Sequence, residues 1–311
     1  MAVHQHIMDS TPGTIVVGFD GSAESRAAAD WAAREAALRG AAVKLVHVRQ
    51  PVPEPMGESL RQALEAHRHW AERLPQETAQ ELRTRHPGVD VGTEQPGGAA
   101  ADVLLEAARD AELLVLGSRA LGGLAGFLVG SVGRSVAGRT GTPVVLVRAG
   151  EKAADEHLAD VTGAPSETTG FRPVVLGLDT GAPDGKLIAF AFEEALRRTA
   201  PLVVVQGWNL APYYLYSAAP GIEPFEEIAR DQAAALTETL RPWREKYPDV
   251  EVVEASRQGG PAEHLIDASG QASLVVVGRR TRRGPLGTHI GSVAQAVMHH
   301  ATAPVAVVPH D

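Results

Sequence analysis

The sequence predicts an α/β protein made of two tandem doubly wound domains, each a parallel sheet with helices on both faces. Length is the first indication, since the chain has 311 residues and a typical domain takes about 100–200. The second is alternation, because Val-rich runs typical of strands buried on both faces are separated by longer helical patterns. The third is an internal repeat, in which residues 14–20 recur as residues 173–179.

The repeat predicts five strands in each copy, joined by right-handed helical crossovers. In the first copy the strands are expected near residues 14–19, 42–48, 89–94, 112–117 and 143–148. In the second copy they are expected near residues 173–178, 201–207, 250–255, 273–278 and 304–308.

Two helices of each copy can be recognised in the sequence. An alanine-rich helix follows the first strand, over residues 23–39 and 184–199. The second long helix contains a proline, Pro75 or Pro242, which removes a backbone donor and clashes with the preceding turn. We therefore expect each of these helices to kink, or a new helix to begin, at its proline.

The repeat also sets the domain boundaries. We predict an N-terminal extension over residues 1–13, a first domain over 14–149 and a second domain over 172–311. Residues 150–171 between them are rich in Glu, Asp, Ala, Thr, Gly and Pro. That composition predicts a linker that is exposed and partly flexible.

Composition excludes several functional classes. The net charge of −9 argues against nucleic acid or an anionic membrane as the main partner, because both favour a basic surface. The absence of cysteine excludes disulfides, thiol nucleophiles and cysteine-ligated metals and fits a cytoplasmic protein. Neither a signal peptide nor a long apolar run is recognised, so no membrane segment is expected.

Candidate binding residues of the first copy follow its strands. Ligands of open α/β sheets lie outside the carboxyl ends of the strands, and Asp20, Val48 and Gly117 fall at three such ends. A glycine-rich loop then leads from Gly117 to Gly130 and Ser131, where a helix begins. Free N–H groups at a helix N-terminus form a ready phosphate site, and Arg119 within the loop offers a charge-assisted contact.

The second copy repeats this layout, with Gly278 and Arg279 after its fourth strand and Gly291 and Ser292 before its last helix. Each feature has an ordinary interpretation as well. A glycine-rich loop is often only a loop, and an aspartate after a strand is often a turn residue or a helix cap. The combination of aspartate, glycine and Gly-Ser at fixed spacing is more specific, although two duplicated copies are not independent observations.

At this point both copies resemble universal stress protein domains of the ATP-binding type. The resemblance rests on Val-Gly-Phe-Asp-Gly-Ser at 17–22, Leu-Val-His-Val at 45–48 and a long glycine motif. In the family that motif reads Gly, two residues, Gly, nine residues, then Gly-Ser or Gly-Thr. Both copies match it except at the second glycine, where Ala120 and Thr281 stand. The resemblance covers nearly the whole chain outside the linker.

The resemblance implies a strand order of 3-2-1-4-5 in each domain. It also implies adenine near the backbone of Val48, with Asp20 beside the adenosine and the phosphates against the loop from Gly117 to Ser131. In the second copy the counterparts are Gly207, Asp179 and the loop from Gly278 to Ser292. The complete set of nucleotide-binding residues expected is Gly18, Asp20, Val48, Gly117, Arg119, Gly130, Ser131, Val132, Asp179, Gly207, Gly278, Arg279, Gly291, Ser292 and Val293.

Departures from the motif predict tighter ATP binding in the first copy. If the second glycine position requires a positive φ, Ala120 is strained there and the β-branched Thr281 more so. The second copy also has Thr180-Gly181 where the first has Gly21-Ser22. In the opposite direction, an arginine set could strengthen phosphate binding in the second copy or simply form an exposed basic loop. This set comprises Arg279, Arg280, Arg282 and Arg283.

The last strand of each copy is strongly apolar, and a bare apolar edge invites pairing with another strand. In universal stress proteins this strand forms the dimer contact. The simplest interpretation is that residues 144–147 and 305–308 pair the two copies within one chain. Helical faces would then remain free for a homodimer.

Three functional hypotheses follow. The first is a stress regulator that binds ATP, with Mg²⁺, and acts on protein partners that the sequence does not identify. Because no strong catalytic base or metal site is recognised, hydrolysis would be slow or absent. The second is an enzyme of the wider adenine-nucleotide-binding group, which would need an inserted acceptor domain that the sequence lacks. The third is an interaction protein whose clefts are vestigial.

Overall fold

The computed structural model describes residues 13–49, 58–120, 127–128, 130–209, 224–281 and 290–311. For residues 58–71, 119–120, 127–128 and 224 it describes the backbone alone. Strands of the first copy are β1 Thr14–Gly18, β2 Ala42–Val46, β3 Val91–Glu94, β4 Leu113–Ala120, β5 Phe127–Leu128 and β6 Val144–Arg148. Strands of the second copy are β7 Val174–Gly177, β8 Leu202–Trp208, β9 Val252–Gln258, β10 Leu274–Arg280 and β11 Val305–His310.

The helices alternate with these strands. In the first copy they are α1 Ala23–Arg39, α2 Glu58–Arg85, α3 Ala100–Ala107 and α4 Ser131–Arg139. A short helix, α5 Ala153–Glu156, lies in the linker. In the second copy they are α6 Gly185–Arg198, α7 Pro224–Lys246, α8 Pro261–Ser269 and α9 Ser292–His300. Within the described residues no helix is both long and apolar enough to cross a membrane.

Both copies join into one continuous sheet of order β3-β2-β1-β4-β6-β11-β10-β7-β8-β9, and β5 pairs with β4 outside that path. Counted along each copy, the five main strands have the expected order 3-2-1-4-5, so this prediction is confirmed. Strands β6 and β11 pair antiparallel at the centre, with Val145 opposite Ala306. The two apolar edges therefore cover each other within one chain, which confirms the expected pairing of the copies.

The core lies on both faces of the sheet. Along β1, Ile15 and Val17 face one side and pack with Trp31, while Val16 faces the other side and packs with Leu104. Side chains of successive strand residues point to opposite faces. Consequently strands covered on both sides need apolar residues at every position, which explains the Val-rich runs of the sequence.

Capping residues fix the helix that follows β1. Ser22 is the N-cap of α1 and its Oγ accepts from the backbone N–H of Ser25 at 3.2 Å. Gly40 ends the helix in the left-handed region at φ 65°, which glycine adopts without a steric penalty.

The prolines of the long helices do not start new helices. Helix α2 runs through Pro75 and α7 runs through Pro242. Of the two expected alternatives, a new helix at the proline is therefore wrong. Packing of an apolar stripe against the sheet outweighs the lost hydrogen bond, since Leu82 in α2 and Leu240 in α7 are fully buried.

A buried ionic cluster joins α1 to α6 across the boundary between the copies. Each helix carries a Glu–Arg pair four residues apart, Glu35–Arg39 and Glu194–Arg198, and each arginine also binds the glutamate of the other helix. Arg198 Nη2 lies 2.6 Å from Glu35 Oε2. Burial alone would raise the pKa of Glu35, but the guanidinium groups of Arg198 and Arg39 outweigh it and lower that pKa to about 2.

The linker is only partly exposed, which corrects the expectation. Glu151, Glu156 and His157 are buried, whereas residues 158–165 are exposed. Glu156 Oε1 accepts from Arg34 Nη2 at 2.5 Å, so the start of the linker is tied to α1. Burial, together with the negative charge of Glu156, raises the pKa of Glu151 to about 7. Polar composition alone does not reveal that these side chains have buried partners.

Candidate nucleotide-binding clefts

A cavity of about 410 Å³, here called the first cleft, opens at the carboxyl ends of β1, β2 and β4 and at the N-terminus of α4. It brings together seven residues expected from the sequence: Gly18, Asp20, Val48, Gly117, Gly130, Ser131 and Val132. It also contains residues that the expected set omitted, including His47 and Ser22. The side chain of Arg119 lies outside the described part of the chain.

Two glycines of the first cleft are required by close packing. A Cβ on Gly117 would lie 2.5 Å from the backbone carbonyl carbon of Glu24 in the first turn of α1. A Cβ on Gly18 would lie 2.6 Å from Leu116 Cδ2. The fold therefore explains glycine at both positions without any ligand.

Glycine at the start of α4 and of α9 has no such explanation. Gly130 has φ −55° and ψ 162°, and Gly291 has φ −58° and ψ 153°. Every L-residue adopts this conformation easily. A Cβ added at either glycine would meet no described atom within 4 Å, and each glycine lines a cavity. The added side chain would project into space that the described fold leaves open.

The N-termini of α4 and α9 carry no side-chain cap, because Gly130 and Gly291 are their N-cap residues. Ser131 and Ser292 stand at the first helical position. The first backbone N–H groups of a helix have no partner within the helix, and the macrodipole places a partial positive charge there. These two ends suit an anion such as a phosphate.

Asp20 lies at the rim of the first cleft with an exposed side chain. Its Oδ1 accepts from the backbone N–H of Ser22 at 3.0 Å and from Ser22 Oγ at 2.5 Å. The carboxylate thus stabilises the turn that leads into α1. Its expected place beside an adenosine stays a prediction.

His47 contributes an imidazole to the first cleft. Its Nδ1 lies 2.9 Å from the carbonyl oxygen of Phe19, which is an acceptor and therefore requires Nδ1 to carry a proton. The residue belongs to the Leu-Val-His-Val segment of the sequence. Alternation along a strand puts His47 and Val48 on opposite faces, and both reach the cleft because β2 ends at Val46.

The expected strain at the second glycine of the motif is absent. Ala120 ends strand β4, where φ is negative. Among the described residues Thr199 is the only non-glycine residue with a positive φ, so Thr281 is not strained either. The backbone N–H of Thr281 donates to the His310 carbonyl oxygen at 2.7 Å. This part of the argument for a weaker second cleft is therefore wrong.

The second cleft is a cavity of about 900 Å³ in the equivalent position of the second copy. It brings together six residues expected from the sequence: Asp179, Gly207, Gly278, Gly291, Ser292 and Val293. Gly207 is required by close packing against the Pro261 backbone, and a Cβ on Gly278 would lie 2.5 Å from His310 Nε2. The greater volume extends toward α7, where Gln232 and Ala235 line the wall.

Amide side chains form that additional wall. Gln206 Nε2 donates to Thr180 Oγ1 at 2.6 Å and to Gln232 Oε1 at 2.9 Å. The Oε1 atom of Gln206 and the Nε1 atom of Trp208 are buried and have no hydrogen-bond partner among the residues that the structure describes. An unpaired buried group costs about 1–3 kcal/mol. Gln206 occupies the position that His47 has in the first copy, so the two clefts differ here.

Charged side chains line the second cleft as well. Arg280 Nη2 lies 3.7 Å from Asp179 Oδ2, and both residues line the cavity. His310, which the expected set omitted, also lines it, and its Nδ1 lies 3.7 Å from Asp184 Oδ2. The repeat aligns His310 with Ala149 of the first copy. Comparison of the repeats therefore gives no signal for an imidazole at this place.

Arg279 does not line the second cleft, contrary to expectation. Only 2% of the residue is exposed, and its guanidinium binds the Gly138 and Thr140 carbonyl oxygens of the first copy. Strand β10 extends to Arg280. Alternation along the strand thus directs Gly278 and Arg280 to one face and Arg279 to the other. Burial lowers the pKa of Arg279.

Metal ligation has no candidate in the described residues. They contain no group of three or more His, Cys, Asp or Glu side chains arranged to hold a metal ion. The two clefts are thus characterised by open helix N-termini, glycine and a few polar side chains.

Comparison with known proteins agrees with this architecture. The family model described as the universal stress protein family matches the chain twice, over residues 12–148 and 170–309. A universal stress protein of Mycolicibacterium smegmatis is 36% identical over 312 residues, covering 97% of this chain and 99% of that protein. A universal stress protein of Mycobacterium tuberculosis is 35% identical over 301 residues, covering 94% and 96%.

Solved structures agree on the fold. The crystal structure of a universal stress protein from Archaeoglobus fulgidus has a TM-score of 0.66 at 14% sequence identity and covers 97% of this chain and 100% of that chain. At this identity the likeness concerns the fold alone. The two matches of the family model and the full-length relatives show that this chain belongs to the universal stress protein family, as a tandem of two of its domains.

Proposed function

We propose that the chain is an ATP-binding regulatory protein of the stress response, with one nucleotide cleft in each copy. The observation that carries the proposal is the pair of glycines at the starts of α4 and α9. Within the described part of the chain, neither packing nor backbone conformation requires glycine at Gly130 or Gly291, and each of the two lines a cavity. A ligand that lies against the backbone at these two positions would explain why they are glycine.

In the first cleft the phosphates would lie against the N-terminus of α4, at Gly130 and Ser131. Backbone N–H groups and the positive end of the macrodipole would bind them. The adenosine would lie toward the ends of β1 and β2, with adenine near Val48 and the ribose near Asp20. In the second cleft the same places belong to Gly291, Ser292, Gly207 and Asp179. Mg²⁺ would accompany the phosphates, since the described residues form no metal site of their own.

We propose that the first cleft is the stronger of the two. Its smaller volume, about 410 Å³ against about 900 Å³, leaves less space around the same ligand. In the second cleft Arg280 lies 3.7 Å from Asp179, and Arg119 stands at the equivalent position of the first copy. Arg280 can also turn to the phosphates of a nucleotide, and measurement of both clefts separates this effect from that of volume.

The role proposed is binding rather than catalysis. The His47 Nδ1–H donates to the carbonyl oxygen of Phe19, which leaves Nε2 as the basic nitrogen of the ring; slow hydrolysis is therefore the alternative to be tested. General-base catalysis of hydrolysis needs a basic group within hydrogen-bond distance of the attacking water. Slow hydrolysis is tested by the identity of the nucleotide that the protein retains.

The test is the nucleotide content of the purified chain and of Gly130→Asp, determined by acid release and chromatography. Aspartate is a favourable N-cap and should preserve α4, but its charge and volume oppose a phosphate at that place. Gly170→Asp, at an exposed glycine of the linker whose Cβ would meet no described atom within 4 Å, is the matched control.

We expect the wild-type chain and the control to retain or take up ATP, and Gly130→Asp to lose the share held by the first cleft. Recovered ADP would indicate slow hydrolysis. If the wild-type chain neither carries nucleotide nor takes up ATP–Mg²⁺, the clefts are vestigial and the protein acts through interactions alone.

A further inference from the structure

Arg279 connects the second copy to the helix that carries the first phosphate site. Its Nη1 donates to the carbonyl oxygen of Gly138 at 3.0 Å, and its Nη2 donates to that of Thr140. Both acceptors belong to the C-terminal end of α4, where Thr140 is the C-cap. A cation at this end satisfies carbonyl groups that have no partner within the helix and interacts favourably with the macrodipole.

The buried charge of Arg279 is stabilised by hydrogen bonds to α4. Arg279 is 2% exposed, no acidic side chain of the described residues pairs with it, and its Nε is buried without a hydrogen-bond partner. A buried charge is tolerated only when hydrogen bonds replace its hydration. The two carbonyl groups of α4 are therefore what holds the guanidinium, and the end of β10 and the end of α4 fix each other's position.

Helix α4 and the end of β10 each contribute residues to a cleft. Helix α4 has nine residues, so at about 1.5 Å per residue it is about 13 Å long. Its first residues, Ser131 and Val132, line the first cleft. On the other side, the neighbours of Arg279 in the chain, Gly278 and Arg280, line the second cleft. One side chain and one helix therefore span the distance between the two sites.

A second contact runs between the same regions. Strand β5, in the glycine-rich loop of the first copy, lies next to α9, whose first residue Ser292 lines the second cleft. The first copy has no equivalent of Arg279, because the repeat aligns it with Ser118, whose Oγ lies 3.4 Å from the Val147 carbonyl oxygen of its own copy. The connection through arginine thus exists once in the described chain.

We propose that Arg279 is a positioning residue that couples the two clefts, so that ATP in the second cleft raises the affinity of the first cleft for ATP. This rests on the proposed function. A ligand against Gly278 and Arg280 would fix the end of β10 and, through Arg279, the end of α4. The first cleft would then bind ATP at a smaller cost in conformational entropy, because α4 is already fixed. Coupling of this kind is reciprocal for binding.

The experiment is calorimetric titration with ATP–Mg²⁺ of four variants: Gly170→Asp as reference, Gly291→Asp, Arg279→Met, and the double variant Gly291→Asp/Arg279→Met. Gly291→Asp closes the second cleft in the same way that Gly130→Asp closes the first. We expect Gly291→Asp to weaken the first cleft by about fivefold or more. Arg279→Met should weaken it to a similar extent, and adding Gly291→Asp to Arg279→Met should weaken it no further.

Independent clefts would overturn the inference. If both bind ATP and Gly291→Asp leaves the affinity of the first cleft unchanged, the coupling is refuted and the proposed function stands. If neither cleft binds ATP, the proposed function fails together with the coupling. Should Arg279→Met not fold, Gly291→Asp decides whether the clefts are coupled at all. Arg279→Lys keeps the charge but loses the second hydrogen-bond donor group of the guanidinium. If ATP binding to the two clefts is as cooperative in this variant as in the reference, the guanidinium does not couple them.

Discussion

The two clefts lie at equivalent positions of one repeated fold, yet one has about 410 Å³ and the other about 900 Å³. Backbone features are what they share: glycine where strand and helix approach closely, and glycine at an open helix N-terminus. Side chains are what differ, with Gln206 in place of His47 and His310 in place of Ala149. Under the proposed function, the backbone would fix where the nucleotide lies, whereas the side chains would set how strongly each cleft holds it.

The ionic cluster at the centre is symmetric, since α1 and α6 each contribute one Glu–Arg pair. The largest expected effect comes from breaking it. Arg198→Met removes a fully buried cation from Glu35 and Glu194. Loss of one partner of a buried ion pair leaves an uncompensated charge and costs about 3–5 kcal/mol. We expect that decrease in the free energy of unfolding, measured by urea denaturation at pH 7.

Arg197→Met is the matched control for this change. Arg197 stands next to Arg198 and pairs with Glu193 and Glu194, but 30% of its side chain is exposed. A pair that is partly solvated contributes about 0–1 kcal/mol. If both variants lost the same stability, the buried cluster would not be what holds the two copies together.

The two copies also differ at their C-terminal ends. The first copy continues from β6 into the linker, whereas β11 of the second copy ends beside the second cleft. Glu151 in the linker has its pKa raised from 4.5 to about 7. The folded state then binds its proton more tightly than the unfolded state does. The contribution of Glu151 to stability is complete below about pH 4.5 and is lost as the pH rises to about 7.

Glu151→Gln removes this titration while keeping the shape of the side chain. We expect the variant to be more stable than the wild-type chain at pH 8, by about 1–3 kcal/mol, and equally stable at pH 4.5. Thermal unfolding at the two pH values measures the difference. A gain of the same size at both values would mean that Glu151 does not titrate as its burial implies.

The last comparison concerns the two aspartates. Asp20→Ala removes the carboxylate from the first cleft and Asp179→Ala removes it from the second. Loss of a hydrogen bond to a charged group costs about 1.5–3 kcal/mol, so we expect Asp20→Ala to weaken ATP binding about tenfold or more. We expect a smaller loss for Asp179→Ala, because the larger second cleft leaves more space around the same ligand. Calorimetry of both variants decides, and equal losses would contradict the proposed ranking.

Much of the fold could be predicted from the sequence. Apolar runs and the repeat gave the strands, and the apolar last strands, 144–147 and 305–308, predicted the pairing of the copies. The expected strand ends fell short by two residues at β10. Because of that error Arg279 was expected in a loop, where the alternation of side chains along a strand does not apply. It was therefore wrongly expected to line the second cleft. A strand that continues to Arg280 would have predicted its true direction.

Other features could not be predicted, since they depend on partners far apart in the chain. Arg34 and Glu156 meet across 122 positions, and Arg198 and Glu35 across 163. The sequence does hold one hint, because the Glu–Arg spacing of four residues recurs in both alanine-rich helices. The burial of Glu151 and Glu156 has no signal in composition. The strain expected at Ala120 and Thr281 was wrong because the main-chain path there does not require a positive φ.

Calorimetric titration of the wild-type chain with ATP–Mg²⁺ gives the number of nucleotide sites per chain. We expect two ATP molecules per chain, with one lost in Gly130→Asp and the other in Gly291→Asp. Two sites retained in both variants would contradict the assignment of these glycines to the phosphate sites. No binding to the wild-type chain would contradict the account of both clefts.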